Sequence, residues 1–210
     1  MAQLIRGLDA RRVADNLARV RAEIGREDVE ILAAVKYVAA EEMGVLAEAG
    51  VTLVGENRAQ ELEVKATAHP ELTWDFIGHL QSRKVKQILP HVRWIHSVAS
   101  DSVLKELGKH AGARTEVLVE VNVARDESKS GVLPEELDGF LERCPVPVLG
   151  LMTMPPFTEH PEDSRRWFAA LAQLAGERGL RELSMGTSQD YAVAAQEGAT
   201  IVRLGTSLYT

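Results

Sequence analysis

The run VEILAAVKY at 29–37 decides the fold. Residues 29–35 are apolar or β-branched apart from Glu30, the length and character of a buried strand, and they pass directly into Lys36 and Tyr37. A doubly wound dinucleotide-binding sheet would place a G-x-G-x-x-G turn after its first strand. None follows here, and the reading turns toward a closed barrel. Runs of the same kind recur at fairly even intervals: VTLV at 51–54, WDFI at 74–77, RWIHSV at 93–98, TEVLVEV at 115–121, VPVLGL at 146–151, ELSM at 182–185 and TIVRL at 200–204. Between them lie helix-like stretches at 40–49, 57–68, 81–89, 101–110, 134–143, 162–178 and 188–197. Strands alternating with helices demand a parallel sheet, and eight strands predict an α/β fold closed into a TIM-type (β/α)8 barrel.

Ahead of the first strand, Val13, Leu17, Val20 and Ile24 recur at helical spacing, and Gly25 supplies a C-terminal stop. Only Gly205–Thr210 follow the eighth strand, too few for the usual closing helix, so the leading helix is expected to fill that gap. No Pro- or Ser-rich linker, repeat or low-complexity tract divides the chain, which reads as a single domain over 1–210.

Composition narrows the function. With 45% hydrophobic and 26% charged residues the chain is ordinary globular protein. Its 31 acidic and 24 basic residues give a net charge of −7, which disfavours a broad grip on nucleic acid or anionic lipid. Any phosphate site must therefore be local. The single cysteine, Cys144, can form neither an intramolecular disulfide nor a thiolate metal cluster. No apolar run approaches the roughly 20 residues that span a bilayer, and 1–12 lacks the hydrophobic centre of a secretory signal. A reducing cytoplasm is the expected compartment.

In such barrels the reactive groups sit where strands end. Lys36 is one of these: burial of an amine favours the neutral form that attacks an aldehyde, although a lysine snorkelling from the rim would look the same. Ser184–Ser188 closes the seventh strand with hydroxyls and free N–H groups, and Arg203, Leu204, Gly205 and Thr206 close the eighth. A serine in that position is commonly only a helix cap. Two small-residue turns after strands seven and eight, the recurrent phosphate site of the fold, favour phosphate. The stretch 122–131, NVARDESKSG, carries Lys129 in a small-residue loop, and 76–84, FIGHLQSRK, carries His79, Gln81 and Lys84 near a helix start. Solvated charges explain both. His79 has no partner at metal-ligand spacing, and no metal site is expected.

Taken in order, AAVKY at 33–37, GENRAQ at 55–60, FIGHLQSRK, NVARDESKSG, GLMTM at 150–154, SMGTSQD at 184–190 and VRLGT at 202–206 resemble the pyridoxal phosphate homeostasis protein family, relatives of the N-terminal barrel of alanine racemase. The resemblance spans most of the chain. It implies that pyridoxal 5′-phosphate is held as a Schiff base on Lys36, that Ser188, Thr206 and the backbone at Gly205 contact its phosphate, and that Asn57 lines the ring side. It also implies that Arg203 faces the pyridine nitrogen. A guanidinium does not give up a proton readily, so the electron sink is weaker than with an acidic partner. Lys129 matches a lysine able to serve as a second cofactor site. Thr187 departs from the family, which commonly has Met there, and adds a hydroxyl near the expected phosphate.

The leading expectation is thus a non-catalytic carrier of pyridoxal phosphate that hands the cofactor to pyridoxal-phosphate-dependent apo-enzymes, as a monomer with a weak homodimer as the alternative. A small racemase or decarboxylase is the main rival, and a Schiff-base aldolase acting on sugar phosphates a third reading. Neither Tyr37 nor Tyr209 is placed by spacing as a base for the catalytic readings.

Overall fold

In the computed structural model, residues 4–210 are described; the first three residues of the 1–12 stretch lie outside them. Helix α1 (Ala10–Ile24) opens the chain. Asp9 caps its N-terminus by accepting from Arg12 N at 2.7 Å. Gly25 ends it in the left-handed conformation, φ 65°, with its N–H returning to Arg21 O.

The strands follow as β1 (Glu30–Ala34), β2 (Leu53–Glu56), β3 (Thr73–Phe76), β4 (Trp94–Val98), β5 (Glu116–Glu120), β6 (Val148–Met152), β7 (Glu182–Thr187) and β8 (Ile201–Leu204). Between and after them run α2 (Met43–Glu48), α3 (Ala59–Ala68), α4 (Val85–Ile88), α5 (Asp101–His110), α6 (Leu137–Glu142), α7 (Arg165–Gly176), α8 (Tyr191–Gln196) and α9 (Thr206–Tyr209). Several of these helices are entered through a single 3-10 turn. All strands are parallel and each pairs with the next, β8 closing onto β1 with Leu32 opposite Arg203 and Ala33 opposite Leu204. The (β/α)8 barrel expected from the sequence is the architecture found.

Strand periodicity divides the core in two. Outward-facing Ile31, Ala33, Val54, Phe76, Ile95, Val117, Val119, Leu151, Val202 and Leu204 pack under the helices. A smaller cluster of Leu32, Leu53 and Ile201, with Ile77 and Trp94, fills part of the barrel interior. The leading helix takes the place the sequence assigned to it: α1 packs against α8, α9 and α2, burying Val13, Val20 and Ile24. Among the described residues, no helix is long and apolar enough to cross a membrane.

At one point the barrel closes too tightly for a side chain. Gly150 of β6 lies opposite Glu182 of β7, and a Cβ there would collide with the Glu182 carbonyl oxygen. Because the obstacle is backbone of a paired strand, Gly150→Ala is expected to destabilise the barrel by about 1–3 kcal/mol, as overpacking does, read as a lower urea midpoint. Gly25→Ala at the left-handed cap should cost about 1 kcal/mol in the same measurement.

Candidate functional site

Lys36, Asn57, Ser188 and Gly205 each follow the C-terminal end of a strand: β1, β2, β7 and β8. These four strands are consecutive around the ring, so residues far apart in sequence meet along one arc of the rim. Strand β1 stops at Ala34. Val35 N still donates to Gly55 O at 2.9 Å, and Val38 N closes a turn onto Val35 O at 3.0 Å. Lys36 rides on that turn, half-buried, its Nζ 4.9 Å from the centroid of the Tyr37 ring. The amine therefore leaves the barrel from a turn, two residues beyond the strand, and not from the strand itself.

On the opposite side of the β8–β1 seam, Ser188 Oγ gathers donors. It accepts from Gly205 N at 3.0 Å, Ser207 N at 3.3 Å and Ser207 Oγ at 3.0 Å. Backbone and hydroxyl donors converging on one oxygen are the equipment that binds a phosphoryl oxygen. Ser207 went unnoticed in the sequence, where it reads as one more small residue of a turn. Thr206 is exposed, and its carbonyl accepts from Thr210 N at 3.0 Å. Thr187 is engaged elsewhere: its N and Oγ1 both donate to Asp190 Oδ1, at 2.7 and 3.1 Å, so α8 starts at Tyr191 and not at Ser188. Asn57 Oδ1 is buried with no hydrogen-bond partner among the described residues, a cost of about 1–3 kcal/mol that a ligand donor would relieve. An orphaned acceptor on one side and clustered donors on the other fit a ligand with a polar ring and an anionic tail.

Arg203 projects from β8 into the interior. Nη1 donates to Ser184 Oγ at 2.5 Å, and Nη2 to Thr153 O and Met154 Sδ, both at 2.9 Å. Burial pulls its pKa down to about 10, against the opposing pull of Glu120 and Asp190, so it remains a cation at neutral pH. Behind it, His96 Nδ1 lies 2.8 Å from Ser184 Oγ and Nε2 lies 3.1 Å from Asp75 Oδ2. Asp75 also accepts from Arg93 Nε at 3.1 Å, Arg93 Nη2 at 2.7 Å and Trp94 N at 3.1 Å. Burial raises the Asp75 carboxyl, but the bonds from His96 and Arg93 outweigh it and hold the group below the usual aspartate value. For His96 burial dominates and lowers the pKa, with Arg203 and Arg93 adding to that direction. Asp75 is therefore ionised and His96 neutral.

The other stretches singled out from sequence follow neighbouring strands: 76–84 runs on from the end of β3, beside β2, with Gly78 packed against Asn57, and 122–131 comes after β5. Lys129 is exposed on a turn, its N–H bonded to Asp126 O. His79 and Gln81 are exposed, and Lys84 Nζ donates to Gln87 Oε1 at 3.0 Å. Glu120 is buried, accepts from Ser130 Oγ at 2.6 Å, and acts on Arg203.

The closed parallel barrel, with a lysine on the turn after its first strand and a donor cluster after its last two, is of the alanine racemase N-terminal type. The family described as "Alanine racemase, N-terminal domain" matches residues 8–210. The chain is 42% identical over 204 residues to a pyridoxal phosphate homeostasis protein of Aquifex aeolicus, covering 90% of each. Among solved structures, PipY of Synechococcus elongatus, with PLP bound, superposes with a TM-score of 0.82 at 32% identity, covering 94% of this chain and all of that one. Alanine racemase of Corynebacterium glutamicum superposes with a TM-score of 0.74 at 16% identity, covering all of this chain and 63% of that one, a likeness of fold alone. The chain belongs to the pyridoxal phosphate homeostasis proteins, within the alanine racemase N-terminal domain family.

The buried histidine makes stability depend on pH in a window that the carboxylates leave clear. Since the folded His96 pKa is depressed, the unfolded chain takes up a proton at the usual histidine value of 6.5 while the folded chain does not. Stability is fully present above that value and lost as pH falls through it, by up to about 1.4 kcal/mol per pH unit. Asp75 adds its own loss only at pH below the ordinary aspartate range. Urea midpoints should therefore fall between pH 7 and pH 5, and His96→Gln should flatten that fall.

Proposed function

We propose that this protein binds pyridoxal 5′-phosphate in the cytoplasm and holds it as a Schiff base on Lys36, carrying and buffering the cofactor for apo-enzymes and not turning over a substrate. The observation that carries this reading is the arc formed by β7, β8, β1 and β2, which sets the Lys36 amine, the Ser188 donor cluster and the orphaned Asn57 Oδ1 on one rim. The free cofactor is a reactive aldehyde, and a lysine amine captures it reversibly. Ser188, Thr206, Ser207 and the Gly205 N–H would hold the phosphate, Asn57 would face the ring, and Arg203 would meet the ring nitrogen. The binding of PLP by PipY and the naming of the Aquifex aeolicus relative support the cofactor's identity. Residues 1–210 act in this reading as a single domain, a monomer with a weak homodimer as the alternative, and the net charge of −7 disfavours nucleic acid as a partner.

A racemase would need a proton acceptor against the cofactor, to take the α-hydrogen. Arg203 is a donor only, and Tyr209, whose hydroxyl is spent on Ala34 O at 3.1 Å, is held protonated by burial and by Glu56.

Incubation with pyridoxal phosphate, borohydride reduction and peptide mapping by mass spectrometry should place the label on Lys36, and a label found only elsewhere would overturn the site. Lys36→Ala should lose the visible band of the adduct. In deuterated water, amino acids should show no α-hydrogen loss at catalytic turnover; rapid loss would favour the enzyme. Ser188→Ala removes the hub of the donor cluster, and should weaken pyridoxal phosphate about tenfold, or roughly 1.4 kcal/mol. Titration with pyridoxal, which has no phosphate, should leave that variant and the parent alike.

A further inference from the structure

The interior face of α3 carries a lysine where an apolar residue would be expected. Ala59, Leu62 and Ala66 form its buried stripe, and Lys65 lies among them at 1% exposure. Its Nζ donates to Glu56 Oε2 at 2.7 Å and to Val35 O at 2.9 Å. Glu56 is fully buried at the end of β2, and its other oxygen accepts from Asn57 N at 2.7 Å and Arg58 N at 3.2 Å. A buried ion pair is a poor way to gain stability, since well-packed apolar residues in its place are commonly as good or better. Its value here lies in what it joins.

The β1–β2 ladder ends with Ala34 opposite Gly55. The next carbonyl on the first strand is Val35 O, and the next residue on the second is Glu56. The two lie on neighbouring strands whose pairing has just ended, and the Lys65 ammonium links them. Val35 O also closes the turn that bears Lys36, accepting from Val38 N at 3.0 Å. One continuous set of bonds thus runs from the Lys36 turn through Lys65 and Glu56 to the backbone of Asn57.

We propose that Lys65 and Glu56 are positioning residues of the cofactor site: the pair fixes the Val35 carbonyl against the Asn57 turn, and so sets the direction in which the Lys36 amine leaves the barrel. This rests on the reading that Lys36 receives the cofactor. Attack on a carbonyl needs the amine within a near-attack geometry, and displacement by about 1 Å costs on the order of a hundredfold. Phosphate capture is different, because the Ser188 cluster belongs to β7 and β8 and draws nothing from α3.

The prediction is a split between two ligands. The test variants are Lys65→Met, and Glu56→Gln with Lys65→Met, which removes the tether without leaving an unpaired buried carboxylate. The probes are pyridoxal phosphate, followed by its adduct absorbance, and an analogue in which a methyl group replaces the aldehyde, followed by calorimetry. The double variant should form the Lys36 adduct at least tenfold more slowly or weakly while binding the analogue within about twofold of the parent. Equal loss for both ligands would make the pair a general structural element and overturn the proposal, as would no loss for either. Should Lys65→Met fail to fold, the double variant decides alone. The parent protein, labelled at Lys36 by borohydride trapping, is the separate control: its failure would overturn the cofactor reading, whereas a labelled parent with an unsplit variant would overturn only the role of the pair.

Discussion

Closure of β8 onto β1 is the constraint on which the rest depends. Sequence order runs from Lys36 to Thr210, yet the seam with Leu32 against Arg203 and Ala33 against Leu204 makes the first and last strands neighbours. Without that pairing the amine and the donor cluster would sit at the two edges of an open sheet. With it, they share a rim whose spacing is set by backbone hydrogen bonds, the least deformable element available. The closure is itself protected from outside: α1 packs against α8, α9 and α2, and Asn16 Nδ2 donates to Leu208 O at 3.2 Å and to Thr210 O at 3.1 Å. A helix from before the barrel thus ties down the residues that follow its last strand, including the turn that carries Ser207.

Much of this was legible in the sequence, for physical reasons that also explain what was not. Apolar runs of strand length and their alternation with helical stretches identify the barrel because the period of burial is written in the residues themselves. The expected leading helix stands where hydrophobic spacing put it. Boundaries drift where a strand ends in residues that do not look like strand: the apolar run predicts β2 over 51–54, but its last two residues are Gly55 and Glu56, retained by pairing with Asp75 and Phe76 of β3. The sequence predicts helix α8 from Ser188, but Asp190 draws Thr187 into a turn first. Lys36, Ser188 and the turn Arg203–Thr206 stand out because strand ends can be located in a barrel sequence, whereas Asn57 and the ligand roles of all six residues rest on the family resemblance.

The polar interior could not be read in the same way. Asp75, His96 and Ser184 lie on three different strands, and nothing local marks their side chains as facing one another across the barrel. Lys65 is harder still, because a lysine in a helix ordinarily belongs to the solvated face. The signal was present in one form only: Lys65 stands three residues after Leu62 and next to Ala66, on the stripe that packing buries. Glu56 could then have been suspected as its partner, since an unpaired buried ammonium is not tolerated.

The direction of the interior bonds bears on what the site can do. Arg203 can only donate, so Ser184 Oγ must accept from it and send its single proton to His96 Nδ1. The imidazole proton then sits on Nε2 and is shared in a hydrogen bond with Asp75, which stays ionised and also accepts from Arg93. Every proton in the chain has one place to go. Along this line the rim is offered a fixed cation backed by an ordered relay of donors, and no vacant acceptor. A group of that kind orients and neutralises a polar ring, but it cannot take a proton from carbon. With Tyr209 committed to Ala34 O as well, the acceptors left on this arc are the Lys36 amine and Asn57 Oδ1, so whatever proton chemistry the rim performs has to pass through the turns after β1 and β2 and not through the barrel interior.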